Sequence, residues 1–154
     1  MNFLVINGPN LNLLGLREPA IYGKDNYETL ISTVEEHAKK IGITVEIFQS
    51  NYEGAIVDEI QDAYQKVDGI IINPAAYTHT SIAILDALKA VAIPAVEVHL
   101  SKVEEREAFR QISYAGLACV NTITGKGIEG YVLAMDYLKN YISQNEHGIK
   151  NNSL

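Results

Sequence analysis

The sequence predicts an α/β domain built on a doubly wound parallel sheet of five strands. Three observations carry this. Five short apolar runs, Phe3–Ile6, Thr44–Phe48, Gly69–Ile72, Ala95–His99 and Ala118–Ile123, recur along 154 residues. Segments with helical apolar spacing separate them, the pattern of βα units. The runs at Phe3 and Gly69 do not alternate with polar residues, which marks strands buried on both faces.

The first strand ends at Asn7-Gly-Pro9. About eighteen residues then separate it from the next helix, where a βα loop takes about 2–6. This stretch carries Leu11, Leu13, Leu14 and Leu16, which a solvated loop has no need of, together with Arg17 and Tyr22. Pro19 stiffens it and Gly23 closes it. It reads as a lid, about 16–24, that delivers Arg17 and Tyr22 to a site at the strand ends; the plain alternative is a surface charge and a packing tyrosine.

Asp25-Asn-Tyr-Glu28 reads as a capping box opening a helix over 26–41, with Leu30, Val34, Ala38 and Ile41 on one face and Gly42 as its stop. The second strand follows. Ser50-Asn-Tyr-Glu53 repeats the box, and a helix with Ile56, Ile60 and Ala63 inward runs to Lys66. The third strand stops at Asn73-Pro74. The third helix covers Thr80–Val91. After the fourth strand, Ser101-Lys-Val-Glu104 opens a short helix over 102–110, which places Arg106 and Arg110 on one face. The last helix, 127–144, carries Ile128, Tyr131, Val132, Met135 and Leu138. One domain over 1–143 and a polar tail over 144–154 that frays complete the expected organisation. Right-handed crossovers favour strand order 2-1-3-4-5, the flavodoxin-like arrangement, with ligands beyond the carboxyl ends of strands 1 and 3.

A net charge of -7 and a pI near 5.0 argue against nucleic-acid partners and anionic membranes. Cys119 is the single cysteine and sits in an apolar run, so it reads as a small buried hydrophobe, and no Cys/His spacing suggests a metal. No signal peptide and no apolar stretch of about 18 residues is evident, so the cytoplasm is the expected location. His37 and His147 read as bland, and Asp86, in mid-helix, faces outward by default.

At the strand ends stand Asn7 and Asn10, Asn73 and His79, and Glu97 and His99. Glu97 and His99 are two apart on a strand and so share a face. A carboxylate there can hold one ring N–H and raise the ring's basicity. A buried ion pair without chemistry is the other reading. Thr78, Thr80 and Ser81 are ordinary helix caps, although a helix N-terminus also suits an anion.

Taken together, Ile6-Asn-Gly-Pro-Asn-Leu-Asn-Leu-Leu-Gly15, Arg17-Glu-Pro-Ala-Ile-Tyr-Gly23, Gln49-Ser-Asn51, Asn73-Pro-Ala-Ala-Tyr-Thr-His-Thr-Ser81, Glu97-Val-His-Leu-Ser101 and Arg106-Glu-Ala-Phe-Arg110 resemble the type II 3-dehydroquinate dehydratases. The resemblance implies reversible dehydration of 3-dehydroquinate to 3-dehydroshikimate in the shikimate pathway, without metal or cofactor. It implies Tyr22 as the base, Arg17 beside it, Asn10 at the enolate, and His99 as the acid oriented by Glu97. It implies Asn73, His79, Leu100, Ser101 and Arg110 as substrate contacts and Arg106 as support for the tyrosine. It further implies that Asp86 reaches a neighbouring subunit's site in trimers packed as dodecamers.

Two rivals fare worse. A flavin or nucleotide module needs a Gly/Ser/Thr-rich phosphate cradle after the first strand, which is absent. A phospho-receiver needs carboxylates where Asn7, Asn10 and Asn73 stand. No lysine occupies the strand ends for Schiff-base chemistry.

Overall fold

The computed structural model describes residues 1–16 and 25–151, with side chains as far as Asn145. Strands β1 (Asn2–Asn7), β2 (Thr44–Gln49), β3 (Gly69–Asn73), β4 (Ala95–His99) and β5 (Asn121–Thr124) form a sheet of order β2-β1-β3-β4-β5, parallel throughout. This is the arrangement expected. Helices α1 (Tyr27–Ile41) and α4 (Glu129–Asn151) cover one face, and α2 (Glu53–Asp62) and α3 (Ile82–Val91) the other.

The two faces follow from the two-residue period of a strand. Phe3, Val5, Ile71, Val96 and Val98 pack against Leu30, Val34, Met135 and Leu138. Their neighbours Leu4, Ile6, Ile70, Ile72 and Ala95 pack against Ile56, Ile60, Ile84 and Leu88. Both faces of β1 and β3 are therefore buried, which is why these strands read as unbroken apolar runs. Each such isoleucine or leucine contributes about 1.5–3 kcal/mol on leaving water. Among the described residues no helix is long and apolar enough to cross a membrane.

Several boundaries differ from expectation. Asn26, not Asp25, caps α1, accepting the Thr29 N–H at 2.8 Å, so Glu28 falls one position short of a capping box. Gly42, at φ 71°, ends the helix as read. Ser50 does not cap α2. Its Oγ accepts the Tyr52 N–H at 3.0 Å in the turn before the helix. That helix stops at Asp62, short of Lys66, and Gln65 turns left-handed at φ 61°. Residues 75–79 form a 3-10 turn, so α3 starts at Ile82 with Ser81 as its cap, accepting the Ile84 N–H at 3.0 Å.

The expected helix over 102–110 is two 3-10 turns, Val103–Glu105 and Ala108–Arg110, separated by an extended Arg106 (φ -94°, ψ -174°). Helical i, i+4 spacing therefore does not relate Arg106 to Arg110. Ala115–Ala118 is another 3-10 turn, which delays β5 to Asn121. α4 continues through most of the expected tail to Asn151. Once a helix exists each added residue gains a hydrogen bond, so propagation does not require an apolar stripe.

His37 bridges two helices. Its Nε2 lies 2.7 Å from Asp136 Oδ1 and ties α1 to α4, while Lys139 Nζ donates to the Ile41 carbonyl at 2.6 Å and closes the end of α1. Asp136 is about half exposed, so the pair is worth no more than about 1 kcal/mol.

The ends of β1 and β3 meet closely. Gly8 donates its N–H to the Asn73 carbonyl at 2.8 Å, and a Cβ on Gly8 would stand 2.4 Å from the Pro74 carbonyl oxygen. Both partners are backbone and cannot swing aside. Gly8→Ala is expected to destabilise the fold by about 1–3 kcal/mol, read as a lower denaturant midpoint at unchanged slope.

Candidate active site

A cavity of about 270 Å³ lies beyond the carboxyl ends of β1, β3 and β4, the switch point of the sheet. Pro9, Asn10 and Leu11 line it from the end of β1. Asn73, Ala75, Ala76 and His79 line it from the end of β3, and His99, Leu100 and Ser101 from the end of β4. Val103, Arg106 and Arg110 come from the turns that follow. Of the residues singled out in the sequence, Asn10, Asn73, His79, His99, Leu100, Ser101, Arg106 and Arg110 therefore converge. Asp86 is exposed on α3 and does not line this cavity. Arg17 and Tyr22, with the rest of the stretch over 17–24 expected to form a lid, lie outside the described residues.

Behind the cavity wall stands Glu97, with no exposed surface. It is registered opposite Ile72 and Thr122, so its side chain shares the sheet face of α2 and α3. Its Oε1 meets His99 Nε2 at 2.7 Å and accepts from Ser113 Oγ at 2.9 Å and from the Thr78 hydroxyl. Its Oε2 accepts from Ser113 at 2.8 Å and from Thr122 Oγ1 at 3.2 Å. Burial alone pushes this carboxyl up. The His99 hydrogen bond and charge, with the Thr78 and Ser113 hydroxyls, outweigh it and leave the group below the ordinary glutamate value of 4.5.

Glu97 is thus an anion near neutral pH, His99 Nε2 carries the proton it accepts, and Nδ1 is left for chemistry. The cradle needs Gly116, because a Cβ there would stand 2.6 Å from Glu97 Oε2. Cys119 is inert, its thiol pushed up to about 12 by burial and then by the Glu97 charge.

The depressed Glu97 value has a consequence for stability. The ionised group contributes above about pH 4.5, its unfolded value, and that contribution disappears as pH falls through the lower folded value. Glu97→Gln is expected to lack this component. The stability gap between wild type and variant, followed by chemical denaturation from about pH 6 to about pH 3, should narrow with acid. A constant gap would overturn the assignment.

His79 stacks on His99 with ring centroids 6.4 Å apart and planes 17° from parallel. Its Nδ1 donates to the Ile112 carbonyl at 2.7 Å, which leaves Nε2 as an acceptor in the neutral ring. Asn10 adopts a left-handed φ of 67°, and its N–H donates to Asn51 Oδ1 at 2.9 Å. Gln49 Nε2 braces the same loop through the Gly8 carbonyl at 3.2 Å and Asn12 Oδ1 at 3.3 Å, and Tyr77 holds the Asn51 carbonyl at 2.7 Å. The Gln49-Ser-Asn51 segment after β2 thereby sets the Asn10 turn.

Arg106 and Arg110 are brought together by Glu107. Its Oε2 lies 3.0 Å from Arg110 Nε and 3.7 Å from Arg106 Nε. The Arg110 contact is misaligned for a hydrogen bond, and among the described residues Nε has no hydrogen-bonding partner, so the attraction there is coulombic. The Arg110 guanidinium also lies 5.1 Å from the Phe109 ring centroid. Both side chains line the cavity.

Sequence reasoning missed Ser113, Thr122 and Tyr131 as partners of this site. Thr122 carried one usable signal, its place on the strand beside β4. Ser113 and Tyr131 carried none.

A family model described as dehydroquinase class II matches residues 1–139. The 3-dehydroquinate dehydratase of Clostridium acetobutylicum is 53% identical over 144 residues, covering 94% of this chain and all of that protein (100%). The 3-dehydroquinate dehydratase of Clostridium perfringens strain 13 is 55% identical over 143 residues, covering 92% of this chain and 98% of that one. The crystal structure of the type II dehydroquinase from Butyrivibrio crossotus superposes with a TM-score of 0.88 at 55% identity, over 90% of this chain and 97% of that one.

Proposed function

The chain belongs to the class II dehydroquinase family, and from that membership we propose that it dehydrates 3-dehydroquinate reversibly to 3-dehydroshikimate, as a hydro-lyase of the shikimate pathway. The observation that carries the reading is the buried Glu97–His99 pair opening on a polar cavity at the switch point of the sheet.

Tyr22 removes a proton alpha to the ketone, with Arg17 favouring its phenolate, and the electron pair forms an enolate. Asn10 helps stabilise that enolate. His99, as imidazolium, donates from Nδ1 to the departing hydroxyl while the C–O bond breaks. Water leaves, and the electron pair closes a double bond conjugated to the ketone. Glu97 orients the ring and stabilises its charge. Asn73, His79, Leu100 and Ser101 bind substrate oxygens, Arg110 binds the carboxylate, and Arg106 supports the tyrosine. These are proton transfers and one β-elimination, so neither metal nor organic cofactor is required. We further propose trimers packed as dodecamers, in which Asp86 reaches a neighbouring subunit's site.

The test is ultraviolet absorbance after addition of 3-dehydroquinate, with and without borohydride. A conjugated enone chromophore that borohydride treatment of the enzyme does not abolish is expected. Absence of the chromophore from folded protein would overturn the reading, and borohydride inactivation with substrate would replace it with Schiff-base chemistry.

A further inference from the structure

Beneath the cavity a chain of four side chains runs from α1 along one face of the sheet to Asn73. Tyr131, on α4, is fully buried, and its hydroxyl stands between Asn7 and Asn73, which are registered opposite each other on β1 and β3. Their separations from the hydroxyl are 2.6 Å for Asn7 Oδ1 and 3.1 Å for Asn73 Nδ2. Asn7 Nδ2 continues to the Tyr27 hydroxyl at 3.4 Å.

The backbone sets the polarity of this chain. The Ala75 N–H can only donate, and it meets Asn73 Oδ1 at 3.1 Å. The Asn73 amide therefore turns its Nδ2 toward Tyr131. The Tyr131 oxygen accepts there, so its single proton goes to Asn7 Oδ1. Burial pushes the Tyr131 hydroxyl above its ordinary range, so it keeps that proton. Asn73 is 3% exposed yet lines the cavity, and the second N–H of its amide is the donor these bonds leave over.

We propose that Tyr131 is a positioning residue of the dehydration site: with Oδ1 held by the Ala75 N–H, the Tyr131 hydroxyl pins the other end of the Asn73 amide, so that the site presents an N–H donor at a fixed place. The inference rests on the reading of Asn73 as a substrate contact. It assigns the substrate an acceptor oxygen at this point. Held by the Ala75 N–H alone, the amide could swing about Oδ1 and carry its remaining N–H away from that oxygen. Tyr131 touches no substrate in this account and acts through Asn73.

The experiment is a double-mutant cycle on kcat/KM for 3-dehydroquinate with Tyr131→Phe, Asn73→Ala and the pair. Tyr131→Phe is expected to lower kcat/KM about tenfold and to add no further loss in the Asn73→Ala background. A purely structural role would lower activity in both backgrounds. Wild-type kcat/KM in folded Tyr131→Phe, or additive losses, would overturn the proposal while leaving Asn73 in the site. Wild-type kcat/KM in Asn73→Ala would defeat the assignment of Asn73 and the proposal with it.

Should Tyr131→Phe not fold, Asn7→Leu carries the same test. It replaces a buried amide with an apolar side chain of similar size and removes the acceptor that holds the Tyr131 hydroxyl in place beneath Asn73. Its loss must likewise vanish in the Asn73→Ala background.

Discussion

Replacing His99 by alanine is expected to lower the turnover of 3-dehydroquinate by about three to four orders of magnitude. Hydroxide is a poor leaving group, and a positioned acid is worth about 10²–10⁴ in rate. The fold should survive. Glu97 loses its contact to His99 Nε2 but keeps the hydroxyls of Thr78, Ser113 and Thr122, so the buried carboxylate is not orphaned. Circular dichroism and melting temperature close to wild type are the control. A turnover within tenfold of wild type, in folded protein, would remove His99 from the acid role. Glu97→Gln should cost less, since an amide oxygen still accepts from Nε2 while giving up the charge that stabilises imidazolium.

Tyr22→Phe is expected to cost about four orders of magnitude in turnover and little in KM. The substitution deletes one oxygen and no apolar surface. A free tyrosine has a pKa near 10, so only about one molecule in a thousand is ionised at neutral pH. A neighbouring guanidinium raises that fraction, about tenfold for each 1.36 kcal/mol of differential interaction. Arg17→Ala should therefore slow the reaction as well, most strongly at low pH.

The two variants separate the steps. With substrate deuterated alpha to the ketone, His99→Ala should still wash the label into water, because the enolate forms and returns. Tyr22→Phe should not. Washout retained in Tyr22→Phe would sink the assignment of the base.

Much of the site is legible in the sequence. Glu97 and His99 lie two apart, and strand geometry alone puts them on one face. Asn10, Asn73 and His79 sit just past apolar runs, and the switch-point rule gathers such ends in any sheet of this order. The helical face expected to carry Arg106 and Arg110 does not form. The chain between them is not helical, and it is Glu107 that draws the two guanidinium groups together.

Short-range rules make strand identity readable along the chain, with the two-residue alternation that sorts Phe3 and Val5 from Leu4 and Ile6, and the handedness of crossovers adds the order of the sheet. What closes around those strand ends depends on contacts between distant parts of the chain. Ser113 and Thr122 reach Glu97 across 16 and 25 residues, and Tyr131 reaches Asn7 across 124. Such contacts leave no periodicity, because a buried polar group constrains the chemistry of its partner and not its distance along the chain.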